Sequence, residues 1–451
     1  MLVMSSLDRR GYVLQKDSMS QEDICMLKED LTVKPFCAMD LVGEPPSFQL
    51  FSETDTEIVI PKSFGLKHFG APDTMCIPTP GELHLPFQGS LRSEQLAPIN
   101  AFLDAAHDLE RMGGIINLAC GQGKTVCALY ILSQLRCKAL IVVHKEFLLN
   151  QWKERISAFL PTARVGLFKG KTQDTIDKDI VIGTVQSLSM KTFDVCKMFP
   201  DIGFMCVDEC HRTGAEVFCR MYQKLNVRYT LGLSATLERK DGLSNVFKWH
   251  IGDVVYKGKH GAEGVVVARM CAFRHEDRTY CREKTMYNGQ VNISSMINAL
   301  CGFEPRTTYT VNITMDLLAQ DENRKVLVLS DRRNHLHKLH DMFTRHGVAC
   351  GFYYGGMKDK DLKESETMQV LLATYAFCSE GLDVPKLDTL VLSSPKSDVV
   401  QACGRILREK PGDRVNIPVI LDVVDDFSLF GAQSRKREKY YHKQGYKLEH
   451  C

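Results

Sequence analysis

Ile115-Ile-Asn-Leu-Ala-Cys-Gly-Gln-Gly-Lys-Thr125 is the stretch on which the fold turns. Ile115–Leu118 has the apolar, β-branched character of a buried strand, Ala119–Gly123 is a loop of small residues, and Lys124-Thr125 opens an apolar helix running from Val126 to Leu135. Such a strand, loop and helix makes a cradle for phosphate. Gly121 and Gly123 let backbone N–H groups approach anionic oxygens, the helix N-terminus adds its positive end, Lys124 supplies a cation, and Thr125 can hold Mg²⁺. A nucleoside triphosphate is the natural ligand. The general pattern has its first glycine where this chain has Leu118.

Working outward, Ala139–Val143, Asp179–Ile182, Phe204–Val207 and Tyr229–Leu233 read as strands apolar on both faces, separated by helical stretches such as Glu146 to Phe159. Strands of that kind imply a largely parallel sheet covered on both sides. The pattern resumes with Lys325–Ser330, Val348–Tyr354, Val370–Ala373, Leu390–Leu392 and Val419–Leu421, with a helix over Arg332–His346. The expected division is a small separate β or α+β module at 1–90, one α/β block at 91–257, a polar connector at 258–320, and a second α/β block with a basic tail at 321–451.

The chain has 451 residues, 44% of them hydrophobic, with 57 Lys and Arg against 55 Asp and Glu. These values exclude a disordered chain, collagen and a coiled-coil fibre. A net charge of +2 means that any grip on nucleic acid must come from local basic surface. Residues 1–10 lack the apolar core of a secretory signal, and no stretch approaches the length of an apolar membrane span. The expectation is therefore an intracellular protein without membrane attachment. Seventeen dispersed cysteines with no CxxC pair read as reduced thiols rather than as a disulfide framework, a zinc ribbon or an iron–sulfur site.

Two further segments carry chemistry. Phe204-Met-Cys-Val-Asp-Glu-Cys-His211 delivers two carboxylates at the end of a strand, where open α/β sheets bind their ligands. Asp208 is the candidate to hold the metal, and Glu209 to orient and deprotonate the attacking water. In the second block, Gln401, Gly404, Arg405 and Arg408 of Gln401-Ala-Cys-Gly-Arg-Ile-Leu-Arg408 share one face if the segment is a helix. Those arginines can supply positive charge to a transferring phosphoryl group. Ser234-Ala-Thr236, after a strand, more often caps a helix than performs chemistry. The tail Ser434–Lys447, with six basic residues, one acid and three tyrosines, suits either nucleic acid or a helix packing its tyrosines on the second block.

The ordered set Leu118–Thr125, Asp208–His211, Ser234–Thr236, Ala373–Asp383 and Gln401–Arg408 resembles a superfamily 2 DExH helicase. Within that superfamily it is most similar to the xeroderma-pigmentosum-B-like branch, including helicases of large DNA viruses akin to the poxviral transcript-release helicase. The added cues are Cys120, Glu146–Trp152, Arg239–Leu243, Ser330–Arg333 and Asp422–Phe427. The resemblance runs from about Leu91 to the C-terminus and implies two tandem RecA-like domains driven by ATP and Mg²⁺. It further implies that Gln95 reads adenine and that Ser234, Thr236, Gly381 and Asp383 couple hydrolysis to movement. His144, Lys145, Thr184, Gln186, Ser330, Arg332, Arg333 and Thr374 would grip one strand's backbone, on DNA more than RNA. A role in transcription or repair follows from the branch, with transcription machinery as a partner and the host cytoplasm, nucleus or virion as the place. Two rival readings use the same residues: a double-strand translocase that does not separate strands, and a nucleic-acid-binding scaffold with a dead motor.

Overall fold

The computed structural model describes residues 3–36, 46–78, 80–119, 121–239, 241–258, 265–277, 279–382, 384, 386–409 and 412–451. The chain divides into two compact units, Met1–Lys259 and His260–Cys451.

The first unit is built on an eight-stranded sheet whose spatial order is Thr172–Asp174, Val165–Lys169, Ile180–Thr184, Lys138–Val143, Ile202–Asp208, Tyr229–Ser234, Gly113–Asn117 and Val254–Lys257. All neighbours are parallel except the antiparallel edge strand Thr172–Asp174. The central strands are continuous apolar runs because helices cover both faces; Ile180–Thr184 and Gly113–Asn117 are buried throughout. The helix Lys124–Leu135 shows how local sequence sets one of these covers. Gly123 enters the left-handed region at φ 76° and turns the chain from loop into helix. Cys127, Ala128, Ile131 and Leu132 then fall on one buried face at helical spacing.

Residues before Ser90 form their own five-stranded sheet, ordered Ser52–Glu53, Glu57–Ile60, Tyr12–Gln15, Ser5–Leu7 and Thr74–Met75. This layer shares a core with the first unit: Leu7, Tyr12, Leu14, Ile60 and Phe64 pack in one cluster with Ile115, Leu140, Val207 and Phe247. Gly65 allows the contact, since a Cβ there would meet the Tyr12 ring at 2.2 Å. Lys62, fully buried, fastens it. Its Nζ donates to the carbonyls of Val227 (3.0 Å) and Arg228 (3.2 Å) and to the Thr230 hydroxyl (2.9 Å), at the start of a central strand.

The second unit holds a seven-stranded, wholly parallel sheet ordered Cys350–Tyr353, Val370–Thr374, Val326–Ser330, Thr389–Leu392, Val419–Val424, Val267–Ala272 and Lys447–His450. The expected connector at 258–320 is corrected here. Val267–Ala272 is an interior strand between Val419–Val424 and Lys447–His450, and Ile293–Gly302 and Glu304–Gln320 are helices. Its partners lie far along the chain, so no local alternation announces it. The basic tail is likewise part of the fold. Arg437 pairs with Asp422 through two bonds of 2.8 Å, the Tyr441 hydroxyl donates to the same carboxylate, and Tyr446 is buried. Among the described residues, no helix is long and apolar enough to cross a membrane.

Burial pushes the Lys62 ammonium down to about 7, against roughly 10.4 in an unfolded chain. Between those values the unfolded chain binds more protons, so the stability of the wild-type chain gains as pH rises through that window. Lys62→Met removes the titration and leaves its carbonyl and hydroxyl acceptors without their donor. It should destabilise the first unit by about 1–3 kcal/mol, and the deficit should grow by up to about 1.4 kcal/mol per pH unit above pH 7. Denaturant melts from pH 7 to 9 check both; a deficit that shrinks with pH contradicts the assignment.

Candidate functional site

In the first sheet Asn117 pairs with Ser234, Leu233 with Asp208, and Val143 with Thr184. The loops after these residues therefore open side by side on the carboxyl edge. Asn117 Nδ2 donates to the Ser234 carbonyl at 2.9 Å and Leu118 N donates to the same oxygen at 3.1 Å, which stitches the base of the phosphate loop to the strand beside it. Within the loop, Ala119 N donates to Gln122 Oε1 at 2.9 Å, and Gly121 takes φ 87°. Lys124 Nζ donates to the Leu118 carbonyl at 3.1 Å, so the ammonium reaches back across the loop it serves. Thr125 follows it in the first turn of the helix. Cys120 lies outside the described residues.

Gln95 is buried against this loop. Its Oε1 accepts from Arg92 N at 2.9 Å, its Nε2 lies 3.5 Å from the Gly123 carbonyl, and a Cβ on Gly123 would meet that Nε2 at 2.1 Å. Gly123 is thus required twice, for its positive φ and for the close approach of Gln95. Both ends of the Gln95 amide work on the chain, bracing helix Ser93–His107 against the cradle.

Asp208 and Glu209 stand beside the loop. Asp208 Oδ2 accepts from Trp152 Nε1 at 3.0 Å and Oδ1 from Glu209 N at 3.0 Å. Burial, with repulsion from Glu209, pushes the Asp208 carboxyl above the usual carboxylate range, while Trp152, Lys124 and His144 pull it back. Glu209 adopts φ 49° and ψ 50°, a left-handed conformation that costs a non-glycine residue about 1–2 kcal/mol. Its Oε2 is buried and accepts no hydrogen bond, lying 3.4 Å from His211 Nδ1. Burial pushes His211 down to about 4, so it is neutral at pH 7. Ser234 Oγ is 2.8 Å from His211 Nδ1 and donates its proton to the Thr236 carbonyl. A hydroxyl has one proton to give, so His211 carries its own on Nδ1 and donates to Ser234. Hydrogen bonds thus join His211 to Ser234 and Ser234 to Thr236, with the Glu209 carboxylate 3.4 Å from the same imidazole nitrogen. Trp152 is the residue whose role sequence reasoning missed; an indole N–H aimed at a carboxylate 56 residues along the chain has no spacing signature.

The second unit places Gln401 in the short helix Val400–Cys403, which tightens into a 3₁₀ turn over Gly404–Leu407. This corrects the expected single helical face for Gln401, Gly404, Arg405 and Arg408, because the two windings rotate each residue differently. Arg405 is 7% exposed and donates to the Leu382 carbonyl at 2.8 Å, at the end of helix Tyr375–Gly381. Asp383 lies outside the described residues.

Several of the expected backbone-gripping side chains also make bonds within the fold. Thr184 caps helix Val185–Met190 by accepting from Ser187 N and donates to Ser187 Oγ at 2.9 Å. Gln186 Nε2 donates to the carbonyl of buried His144 at 3.1 Å. Ser330 is fully buried, 3.0 Å from His335 Nδ1, and accepts from Arg332 N. The Thr184 hydroxyl closes the helix that follows its strand, while Ser330 bonds the turn ahead of helix Arg333–Arg345. Arg332 donates to Ser294 and Asn298, and Arg333 donates to the Gly355 carbonyl while lying 4.7 Å over the Tyr354 ring. Lys145 precedes helix Glu146–Phe159 and Thr374 precedes helix Tyr375–Gly381.

Two tandem sheets of parallel strands, the first with its glycine loop beside an Asp-Glu pair, make a fold of two RecA-like domains. Comparison with known proteins identifies the family. The pattern described as "Type III restriction enzyme, res subunit" matches residues 88–239, and "Helicase conserved C-terminal domain" matches residues 309–410. "Putative ATP-dependent RNA helicase L396" of Acanthamoeba polyphaga mimivirus is 30% identical over 463 residues, spanning 99% of this chain and 87% of the relative. QP509L of African swine fever virus, which carries the same description, is 23% identical over 379 residues, spanning 74% and 70%. The solved structure of S. cerevisiae Dbp5 bound to RNA and ADP BeF3 shares the fold, with a TM-score of 0.54 at 14% identity over 80% of this chain and 94% of that one. The chain belongs to the superfamily 2 helicases, a family of ATP-dependent enzymes with relatives in large DNA viruses.

Trp152→Phe keeps an aromatic ring in the core and deletes one donor. Losing a hydrogen bond to a charged group should lower the maximal rate of ATP hydrolysis about tenfold, with the KM for ATP little changed and the melting temperature within a few degrees. A rate equal to wild type removes Trp152 from the site.

Proposed function

We propose that the chain hydrolyses ATP to move along or unwind nucleic acid. The observation that carries the proposal is one edge of one sheet holding Lys124, Asp208 and Glu209 together, with a buried Glu209 oxygen that accepts no hydrogen bond. That oxygen suits a water molecule, which Glu209 would orient toward the γ-phosphate and deprotonate. Gly121, Gly123 and Lys124 bind the phosphates through backbone N–H groups and the ammonium.

The donor set also fits Mg²⁺. Asp208 is a buried carboxylate pressed by a second one, an arrangement that a cation relieves, and the Thr125 hydroxyl opens the helix beside it. Thr125 and Asp208 would hold the ion, which when bound neutralises charge on the β- and γ-oxygens.

Arg405 and Arg408 of the second unit supply the remaining positive charge to the transferring phosphoryl group, and Gln401 helps to orient the water. Loss of the γ-phosphate loosens the hold between units, and the polar residues Glu209, His211, Ser234 and Thr236, with Gly381 and Asp383, transmit that change. Cations and backbone amides of the loops holding His144, Lys145, Thr184, Gln186, Arg332, Arg333 and Thr374 follow the strand's phosphates. The similarity to the xeroderma-pigmentosum-B-like branch supports a DNA substrate and work in transcription or repair. The names of the two viral relatives support RNA instead. Strand displacement on DNA, RNA and hybrid duplexes with opposite overhangs decides between them, and a protein-displacement assay separates unwinding from translocation.

Lys124→Ala and Glu209→Gln should each lower polynucleotide-stimulated ATP hydrolysis at least about a hundredfold, in line with the loss of a group acting in the transition state, while the melting temperature holds. Normal turnover in either refutes the site. Arg408→Ala should retain ATP binding, measured with a fluorescent nucleotide, and lose about a thousandfold in turnover. An unchanged rate shows that another group neutralises the phosphate.

A further inference from the structure

Residues 273–277 and 279–303 fall between the two stretches matched by the family patterns, yet they fold into a platform. Phe273, Tyr280 and Phe303 pack with Phe427 and Phe430 into a small aromatic core; Tyr280 lies 5.1 Å from Phe273, 5.4 Å from Phe303 and 5.1 Å from Phe427. A buried ion pair ties the platform to the sheet. Arg306 donates to both oxygens of Asp425, at 2.8 and 2.7 Å, and the Tyr280 hydroxyl donates to Asp425 as well. Pairs buried this deeply fix an arrangement more than they stabilise it.

A tight hairpin stands on this base. Thr285 bridges Val291, Asn292 N donates to the Lys284 carbonyl at 2.7 Å, and Gly289 N donates to the Met286 carbonyl at 2.9 Å with Gly289 at φ 80°. Its tip carries Tyr287, whose ring is wholly in solvent at 109% relative exposure, beside Met286 at 38%. The arms and tip, Lys284 to Val291, contain no carboxylate. Asn292 then caps helix Ile293–Gly302 by accepting from Ser295 N. That helix lines a cavity of about 430 Å³ together with Arg332, Arg333 and Lys338, and none of its lining residues is acidic. The cations are held by neutral acceptors: Arg332 by Ser294 and Asn298, Arg333 by the Gly355 carbonyl, Lys338 by the Gly302 carbonyl at 3.3 Å. The neighbouring Asp331 is engaged by Lys396 at 2.9 Å.

An exposed tyrosine on a loop is ordinarily surface. Here the loop is braced, its tip is free of negative charge, and the helix it feeds borders a cavity whose three cations face no carboxylate. We infer that hairpin Lys284–Val291 and this cavity form one single-strand contact, in which a base stacks on the Tyr287 ring and a backbone phosphate enters the cavity toward Arg332 and Lys338. The inference rests on the nucleic-acid reading above and adds to its second-unit contacts a stacking ring, Tyr287, and a further cation, Lys338. Stacking is available to every base and the phosphate is common to both polymers, so the contact takes single-stranded DNA and RNA alike.

The test is equilibrium binding of the full chain to fluorescent 20-mers of oligo(dT) and oligo(U). Tyr287→Ala should weaken both between about fivefold and a hundredfold, and Tyr287→Phe, which keeps the stacking face, should stay within about twofold of wild type. Lys338→Ala should weaken binding and flatten the dependence of log K on log salt by about 0.7. Wild-type affinity in Tyr287→Ala, equal losses in the Phe and Ala variants, or an unaltered salt slope in Lys338→Ala overturns the contact while the motor reading stands. A wild-type chain that binds neither oligomer overturns both.

Discussion

Parallel pairing is the constraint from which the rest follows. When neighbouring strands run the same way, their ends fall on one edge, and residues far apart in sequence become neighbours there. The pairing of Asn117 with Ser234 and of Leu233 with Asp208 is the local expression of that rule. It sets the phosphate loop, the acidic pair and the Ser234–Thr236 turn side by side without any of them having to find the others. The Asn117 amide and the Leu118 N–H, both bonded to the Ser234 carbonyl, hold that alignment under the loop.

An edge built this way buries polar groups at a cost that satisfied hydrogen bonds must offset. Trp152 answers Asp208, Gln95 answers the loop, and His211 answers Ser234. Two features are left unoffset, the left-handed backbone of Glu209 and its unbonded oxygen. Strain and an unmet acceptor at one residue are the features expected where substrate completes an arrangement.

Both parallel sheets were legible in the sequence because their central strands, such as Ala139–Val143 and Val326–Ser330, are buried on both faces and read as unbroken apolar runs. The cradle was legible because Gly121, Gly123 and Lys124 follow such a run directly. Non-local features were not. Val267–Ala272 finds its partners at 419–424 and 447–450, and Lys62 meets carbonyls at 227 and 228. Thr184 and Ser330 sit where phosphate contacts were expected, and each bonds a backbone N–H within the next three residues. Residue type cannot tell a cap from a contact, since both need a hydroxyl at a strand end. The tail was open to two readings, and the packing one is seen: Arg437 and Tyr441 are spent on Asp422.

The central claim is that turnover needs charge from both units, the first bearing the cradle and acids and the second bearing Arg405 and Arg408. The direct measurement is the steady-state ATPase rate, with saturating polynucleotide, of a fragment ending at Lys257 beside the intact chain, each shown by circular dichroism to be folded. The account expects the fragment to bind nucleotide and to turn it over at a thousandth of the intact rate or less, on the order of the effect of an arginine supplied to a transferring phosphoryl group. A fragment that matches the intact chain contradicts it.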